Sequence, residues 1–554
     1  MKLNKIFSLT VALAVATLAL SGCIRETYPK EAGITESQLM KGEEAVILQS
    51  LLPGIHSGLI STAGGYEHTD YGYFGLQVYH DFECKNCVCN GWTLGHNPLY
   101  NRFYNAAYGW YYTANSLMPA MTWMSYYPTI KSCNQIIGIA KDVEDYKVYR
   151  GIAKAYRAML YLDLARLFEP LFAEAPNYGA TYEMGVLAAQ GLTVPYVDET
   201  ATEDSVKNNP RLTREEIFTR IFADLKDAAE CLKDYVPEKP FYPSQAVVYG
   251  LYARAYMWLG GFDGDGLSGE LPEGKAAYQL ALDYAQKAIS AFGGAIMTKE
   301  EWTNPTTGFN TVASSWMLSV VNSSDTLISN LHQHPAHMAP EALYGYPQFT
   351  SPGVSALVYD NLGDADFRKA LIKGPETTLA DFPYTTITDK STFDLFAPYT
   401  FFKYRPGKGA QTDSTTAGSV SLPLMRCEEM YFIEMEAIAH ISGDEAARPY
   451  LNAFMEKRDE SYIQKPNVLD EILFQKGIEF WGEGLLMYDM KRLDRGVNSA
   501  FKNTNYDANA RHISEGRLPW WTYCIPQSEL ERNEGIGVNN PDPSRALDPV
   551  ADLE

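Results

Sequence analysis

Two glycine-rich stretches concentrate flat aromatic side chains among amides. "GGYEHTDYGYFG" carries Tyr66, Tyr71 and Tyr73, and "CNGWTLGHNPLYN" carries Trp92, Asn97 and Asn101. An aromatic face flanked by amides and carboxylates can hold the apolar side of a sugar ring while bonding its hydroxyls, and it can equally grip a peptide. Trp302, in the polar setting "KEEWTNP", offers the same chemistry from another part of the chain. Tyr71, Tyr73, Trp92, Asn101 and Trp302 are therefore the candidate ligand contacts. Trp110, Trp123 and Trp258 lie on apolar stretches of helical pattern and read as core.

Three other clusters invite metal or redox chemistry. "HQHPAHMAPE" gathers His332, His334 and His337, with Glu341 four residues past the last. Pro335 and Pro340 argue against a helix that would align such ligands, so a polar loop is expected. "GFDGDGLSGELPE" sets Asp263, Asp265 and Glu270 among glycines without the twelve-residue calcium pattern, so no cofactor is expected and calcium is the alternative. "ECKNCVCN" places Cys84, Cys87 and Cys89 close together but lacks the second C-x-x-C of a zinc site. A disulfide within it is open, and so is its pairing. No H-E-x-x-H, G-x-S-x-G or complete phosphate-cradling G-x-x-x-x-G-K-[ST] occurs, so no enzyme is expected. A glycoside hydrolase stays as an alternative, because its paired carboxylates have no sequence spacing.

The N-terminus carries a different signal. Lys2 and Lys5 precede an apolar run from Ile6 to Leu20, the charged and hydrophobic regions of a secretory leader. Leu20-Ser21-Gly22-Cys23 resembles a bacterial lipobox, in which the cysteine thiol takes a diacylglyceryl group and becomes the new N-terminus. On this reading 1–22 is a signal peptide, 23–40 a lipid-anchored tether and 41–554 one domain. Removing the leader takes away two lysines and no acid, so the formal charge moves from −22 to −24. Such a surface repels phosphate backbones and anionic lipid alike, which excludes nucleic acid and leaves Cys23 as the membrane contact.

Helical periodicity supplies the scaffold. "YRGIAKAYRAMLYLDLARLF" aligns Ile152, Tyr156, Met159, Leu164 and Phe168, and its partner "TREEIFTRIFADLKDAAECL" opens on the capping box Thr213/Glu216. "SQAVVYGLYARAYMWLGG" pairs with "GKAAYQLALDYAQKAIS", whose Ala277, Ala281, Ala285 and Ala288 form a stripe of small residues that permits close approach. A third pair turns at Ser442-Gly443. Gly250, Tyr256 and Gly260 sit where tetratricopeptide-type pairs place small and aromatic packers. The expected fold is mainly α, with tetratricopeptide-like helix pairs and loop-rich segments at about 64–101 and 293–422, where periodicity fails.

The order of segments resembles the SusD/RagB family. Trp123, Tyr127, Ile130 and Asn134 match its W-x-x-x-Y-x-x-I-x-x-x-N stretch. Ala155, Arg157, Ala158, Tyr161 and Leu164 match the following helix, and Glu429, Tyr431, Glu434 and Glu436 a later one. "ILFQKGIEFWGEGLLMYDMKRLDRG" is similar to the family's longest signature through Glu479, Phe480, Glu483, Gly484, Asp489 and Arg492. Ile525, Pro526, Glu529 and Asn533 match the closing I-P-x-x-E-x-x-x-N. Gln475-Lys476 and Leu486 depart from the signature and read as losses from a structural ion-pair network.

The resemblance implies a lipid-anchored outer-membrane protein facing the cell exterior. It implies a lid on a SusC-like TonB-dependent transporter, capturing oligosaccharides, or peptides as in the RagB branch, without catalysis. A helical-repeat lipoprotein that only docks another protein is a further alternative. The resemblance also places the ligand cleft near the loop 64–101 and makes Glu479, Asp489 and Arg492 scaffold.

Overall fold

The computed structural model describes residues 44–62, 70–90, 106–172, 178–322, 331–347 and 350–551. Cys23, Tyr66, Trp92, Asn97 and Asn101 lie outside them. The chain divides into the units 1–50 and 51–554. The described part of the first unit is the opening of helix α1, Glu44–Ile60. The second unit holds every other element.

Helices dominate. Numbering those of seven residues or more, α2 is Tyr73–Glu83, α3 Leu117–Ala140, α4 Lys147–Phe168, α5 Ala180–Ala189, α6 Arg214–Cys231 and α7 Gln245–Gly260. They continue as α8 Gly274–Phe292, α9 Cys427–Ser442, α10 Asp444–Met455, α11 Val468–Glu479 and α12 Leu486–Arg492. Successive helices stack as α3 on α4, α4 on α6, α6 on α7, α7 on α8, α8 on α9 and α9 on α10. This is the helix-pair layer the periodicity predicts.

Its packing follows from residue size. Ala277, Ala281, Ala285 and Ala288 on α8 are wholly buried, which lets α7 lie close. A methyl group on Gly250 would stand 2.5 Å from Met425 Sδ, and one on Gly260 would meet the Tyr278 ring at 2.6 Å. The start of α6 is fixed as expected: Thr213 N–H donates to Glu216 Oε2 at 2.8 Å and Glu216 N–H to Thr213 Oγ1 at 3.2 Å.

Strands are few and short, and all pair antiparallel. β1, Val88–Asn90, pairs with β5, Ser351–Gly353. β2, Leu192–Pro195, pairs with β3, Arg211–Thr213, and β4, Trp316–Val321, with β6, Ser421–Arg426. The 293–422 region is indeed mostly turns and short helices. It carries its own aromatic core of Phe382, Phe393, Phe396 and Phe402 with Ile387, which is why so irregular a segment holds together.

The 64–101 segment departs from its expected loop character. Within it α2, "YFGLQVYHDFE", is a helix buried on all sides. Enclosed on every face, it shows no amphipathic stripe for sequence periodicity to find.

Candidate functional site

The three described residues offered as ligand contacts are core. Tyr71 is 4% exposed, with its ring stacked on His337 at 5.0 Å and edge-on to His334 at 6.0 Å. Tyr73 is buried at the start of α2, where its hydroxyl donates to Asp163 Oδ2 at 2.9 Å and Tyr126 donates to the same oxygen at 3.2 Å. Trp302 has no exposed surface; its ring meets Phe309 edge-on at 4.6 Å. It lies on the one-turn helix Lys299–Thr303, whose glutamates face water while the indole turns inward, so polar neighbours misreport its position. Trp92 and Asn101 lie outside the described residues.

The metal candidates also resolve into structure. His334 and His337 are buried at the turn of helix Pro335–Met338, which begins on Pro335, the first-turn position where proline is tolerated. His337 Nε2 lies 2.9 Å from the Leu331 carbonyl, and His334 packs edge-on against Tyr404 at 4.3 Å. Burial lowers His334 to about 3, so it is a neutral packing ring. Asp265 is not free for calcium, because Arg214 donates to both its oxygens at 2.7 and 2.9 Å. The seven described cysteines are free thiols, with Cys84 and Cys87 buried. No metal-ligand cluster occurs among the described residues.

The long signature forms a buried charge network. Glu479, at the end of α11, accepts from Arg458 Nε and Nη2 at 3.0 Å each, from Arg368 at 3.1 Å and from Arg426 at 3.2 Å. Burial alone would raise its pKa, but the three guanidiniums outweigh it and hold the carboxyl well below the usual range. Glu483 takes Lys403 at 2.7 Å and Arg426 at 2.9 Å. The expected losses at Gln475-Lys476 are corrected: Gln475 accepts from Arg368, and Lys476 pairs with Asp489 at 2.6 Å. Sequence alone could not show this, since Arg368 is 107 positions from Gln475 and the Lys476–Asp489 pair depends on how α11 packs on α12.

An open groove of about 580 Å³ lies elsewhere. Trp123 and Tyr127 of α3 form one wall, Pro195 ends β2 and Val197 follows it, and the segments 203–209 and 529–534 close the groove. The two rings sit 4.5 Å apart at 34°, and the Tyr127 hydroxyl donates to the Pro195 carbonyl at 2.7 Å. Asn533 accepts from Asn209 N–H and donates to Asn209 C=O, both at 2.8 Å, while Glu534 N–H donates to Lys207 C=O at 2.8 Å. Sequence reasoning placed Trp123 in the core and did not join these residues; their convergence depends on a contact between distant motifs.

This fold, with its buried signature, defines a SusD-type protein. Residues 369–542 match the SusD family, and residues 88–257 match the family described as "Starch-binding associating with outer membrane". Between them these matches span more than half of the chain, which belongs to the SusD/RagB family. Solved structures agree in fold. A SusD-like carbohydrate binding protein from Bacteroides vulgatus ATCC 8482 superposes with a TM-score of 0.66 at 18% identity, covering 89% of this chain and 97% of that one. A SusD superfamily protein from Bacteroides thetaiotaomicron VPI-5482 gives 0.63 at 21%, over 90% and 99%. Another from Parabacteroides distasonis ATCC 8503 gives 0.63 at 15%, over 89% and 98%. No curated protein matches the chain.

Proposed function

We propose that this protein is a non-catalytic carbohydrate-binding lipoprotein of the outer membrane. It is anchored through Cys23, faces the cell exterior, and passes captured oligosaccharides to a SusC-like TonB-dependent transporter. The observation that carries this reading is the match of residues 88–257 to a starch-binding family that associates with the outer membrane. The buried signature supports it, since residues locked in ion pairs serve as scaffold rather than as acid and base. Trp92 and Asn101 remain proposed ligand contacts, whereas Tyr71, Tyr73 and Trp302 do not.

Two readouts test the proposal. The full chain expressed in its own membrane should fractionate with the outer membrane and co-purify with a large β-barrel. A Cys23→Ser variant should be released. Retention of that variant would remove the anchor, and absence of any barrel would remove the delivery step. Peptide capture without glycan capture would replace the ligand class.

A further inference from the structure

The groove beside Trp123 has features that neither the scaffold nor the proposed ligand contacts account for. Its walls come from two motifs at opposite ends of the chain, Trp123 and Tyr127 from one, Glu529 and Asn533 from the other. Its volume of about 580 Å³ falls within the roughly 300–1,000 Å³ of small-ligand sites. The wall is rigid: Trp123 is braced edge-on by Phe168 at 5.3 Å, and Tyr127 is tethered by its hydroxyl.

The polar groups divide into two sets. One is spent on holding the groove open, because Asn533 bonds Asn209 in both directions and also donates to Glu529 at 3.0 Å. Lys207 pairs with Glu203 at 2.7 Å. The other set is available. The exposed side chains of Arg532 and Glu534 form no hydrogen bond or ion pair with any described residue, and they bring a fork of donors and a pair of acceptors to the rim.

This division selects a ligand class. An anion would face Glu203, Glu529, Glu531 and Glu534 against only two cations. A peptide bound by main-chain pairing needs free backbone groups on the rim, yet those of Asn209 and the Glu534–Lys207 pair are already taken. What fits is a flat molecule with an apolar face for the Trp123–Tyr127 wall and hydroxyls for side chains at its edge. We propose that this groove is a binding site for a short, uncharged oligosaccharide segment. The inference rests on the carbohydrate-binding reading above, and it names a place where that binding occurs.

The test uses the full chain in a detergent without a sugar headgroup, titrated calorimetrically with neutral gluco-, manno- and galacto-oligosaccharides, polygalacturonate and mixed peptides. A bound neutral oligosaccharide should lose about tenfold in affinity, or one site per chain, in Arg532→Ala/Glu534→Ala, whose exposed side chains leave folding untouched. It should also change tryptophan emission in the parent and not in Trp123→Phe. If neutral glycans bind and both variants behave as the parent, the groove is not a site and the carbohydrate reading stands alone. If a groove variant loses polygalacturonate or peptide instead, the ligand class is wrong. If nothing neutral binds, this inference and the reading beneath it both fall.

Discussion

Arg458 holds Glu479 through two parallel hydrogen bonds, Nε and Nη2 each 3.0 Å from a carboxylate oxygen, with neither side chain reaching solvent. Arg368 and Arg426 complete the ring of guanidiniums, so the carboxylate is the common anchor for α11 and the segments packed on it. Removing one member of such a set leaves the others buried and uncompensated, which is where the energetic cost arises.

Glu479→Gln should therefore lower stability by about 3–5 kcal/mol. Urea unfolding followed by circular dichroism measures it. A change under 1 kcal/mol would mean that water reaches the network.

Trp302→Ala should also cost stability, about 3–5 kcal/mol, because it empties a site closed by Phe309 and Phe367. Tyr73→Phe should cost about 1 kcal/mol, since Asp163 keeps Tyr126. Glycan affinity of the folded fraction should be unchanged in both. A selective loss of affinity without loss of stability would return these residues to the binding site.

His80 is buried with no hydrogen bond to either ring nitrogen among the described residues, and burial, helped by Arg166 and Lys491, lowers it to about 3. The unfolded chain takes up that proton near 6.5, so the stabilisation from a neutral ring is complete above 6.5 and is lost as pH falls toward 3. Asp81 and Glu83 beside it, raised to about 7 chiefly by burial, contribute the opposite slope. The comparison must therefore be with a variant rather than with the absolute profile. Between pH 7 and pH 5, His80→Gln should lose about 2 kcal/mol less stability than the parent. Parallel profiles would show that His80 is already solvated.

The thiols supply a chemical prediction. Burial pushes Cys133, Cys427 and Cys524 up to about 12, and raises Cys84 and Cys87 well above the usual thiol range. Ellman's reagent should label them only slowly in the native protein. In guanidinium all seven described cysteines should react without reductant. A count of five would reveal a disulfide, most simply within "ECKNCVCN".

The helix pairs were legible because each has one apolar stripe and a marked start or turn, as at Thr213/Glu216 and Ser442-Gly443. The helix at 73–83 was not, because burial on every face erases periodicity. The site was harder to read for a related reason. An aromatic in a polar stretch signals exposure only if the chain keeps it outward, and the turn 299–303 carries Trp302 inward. Conversely, Trp123 sits on an apolar helix and is mostly buried, yet it lines a groove whose other wall lies near the C-terminus. Long-range contact decided both cases.

The most direct measurement is a calorimetric titration of the detergent-solubilised full chain with neutral oligosaccharides and with mixed peptides. The account predicts saturable binding of one neutral glycan class and none of the peptides. Binding of peptides alone, or of neither, would contradict it.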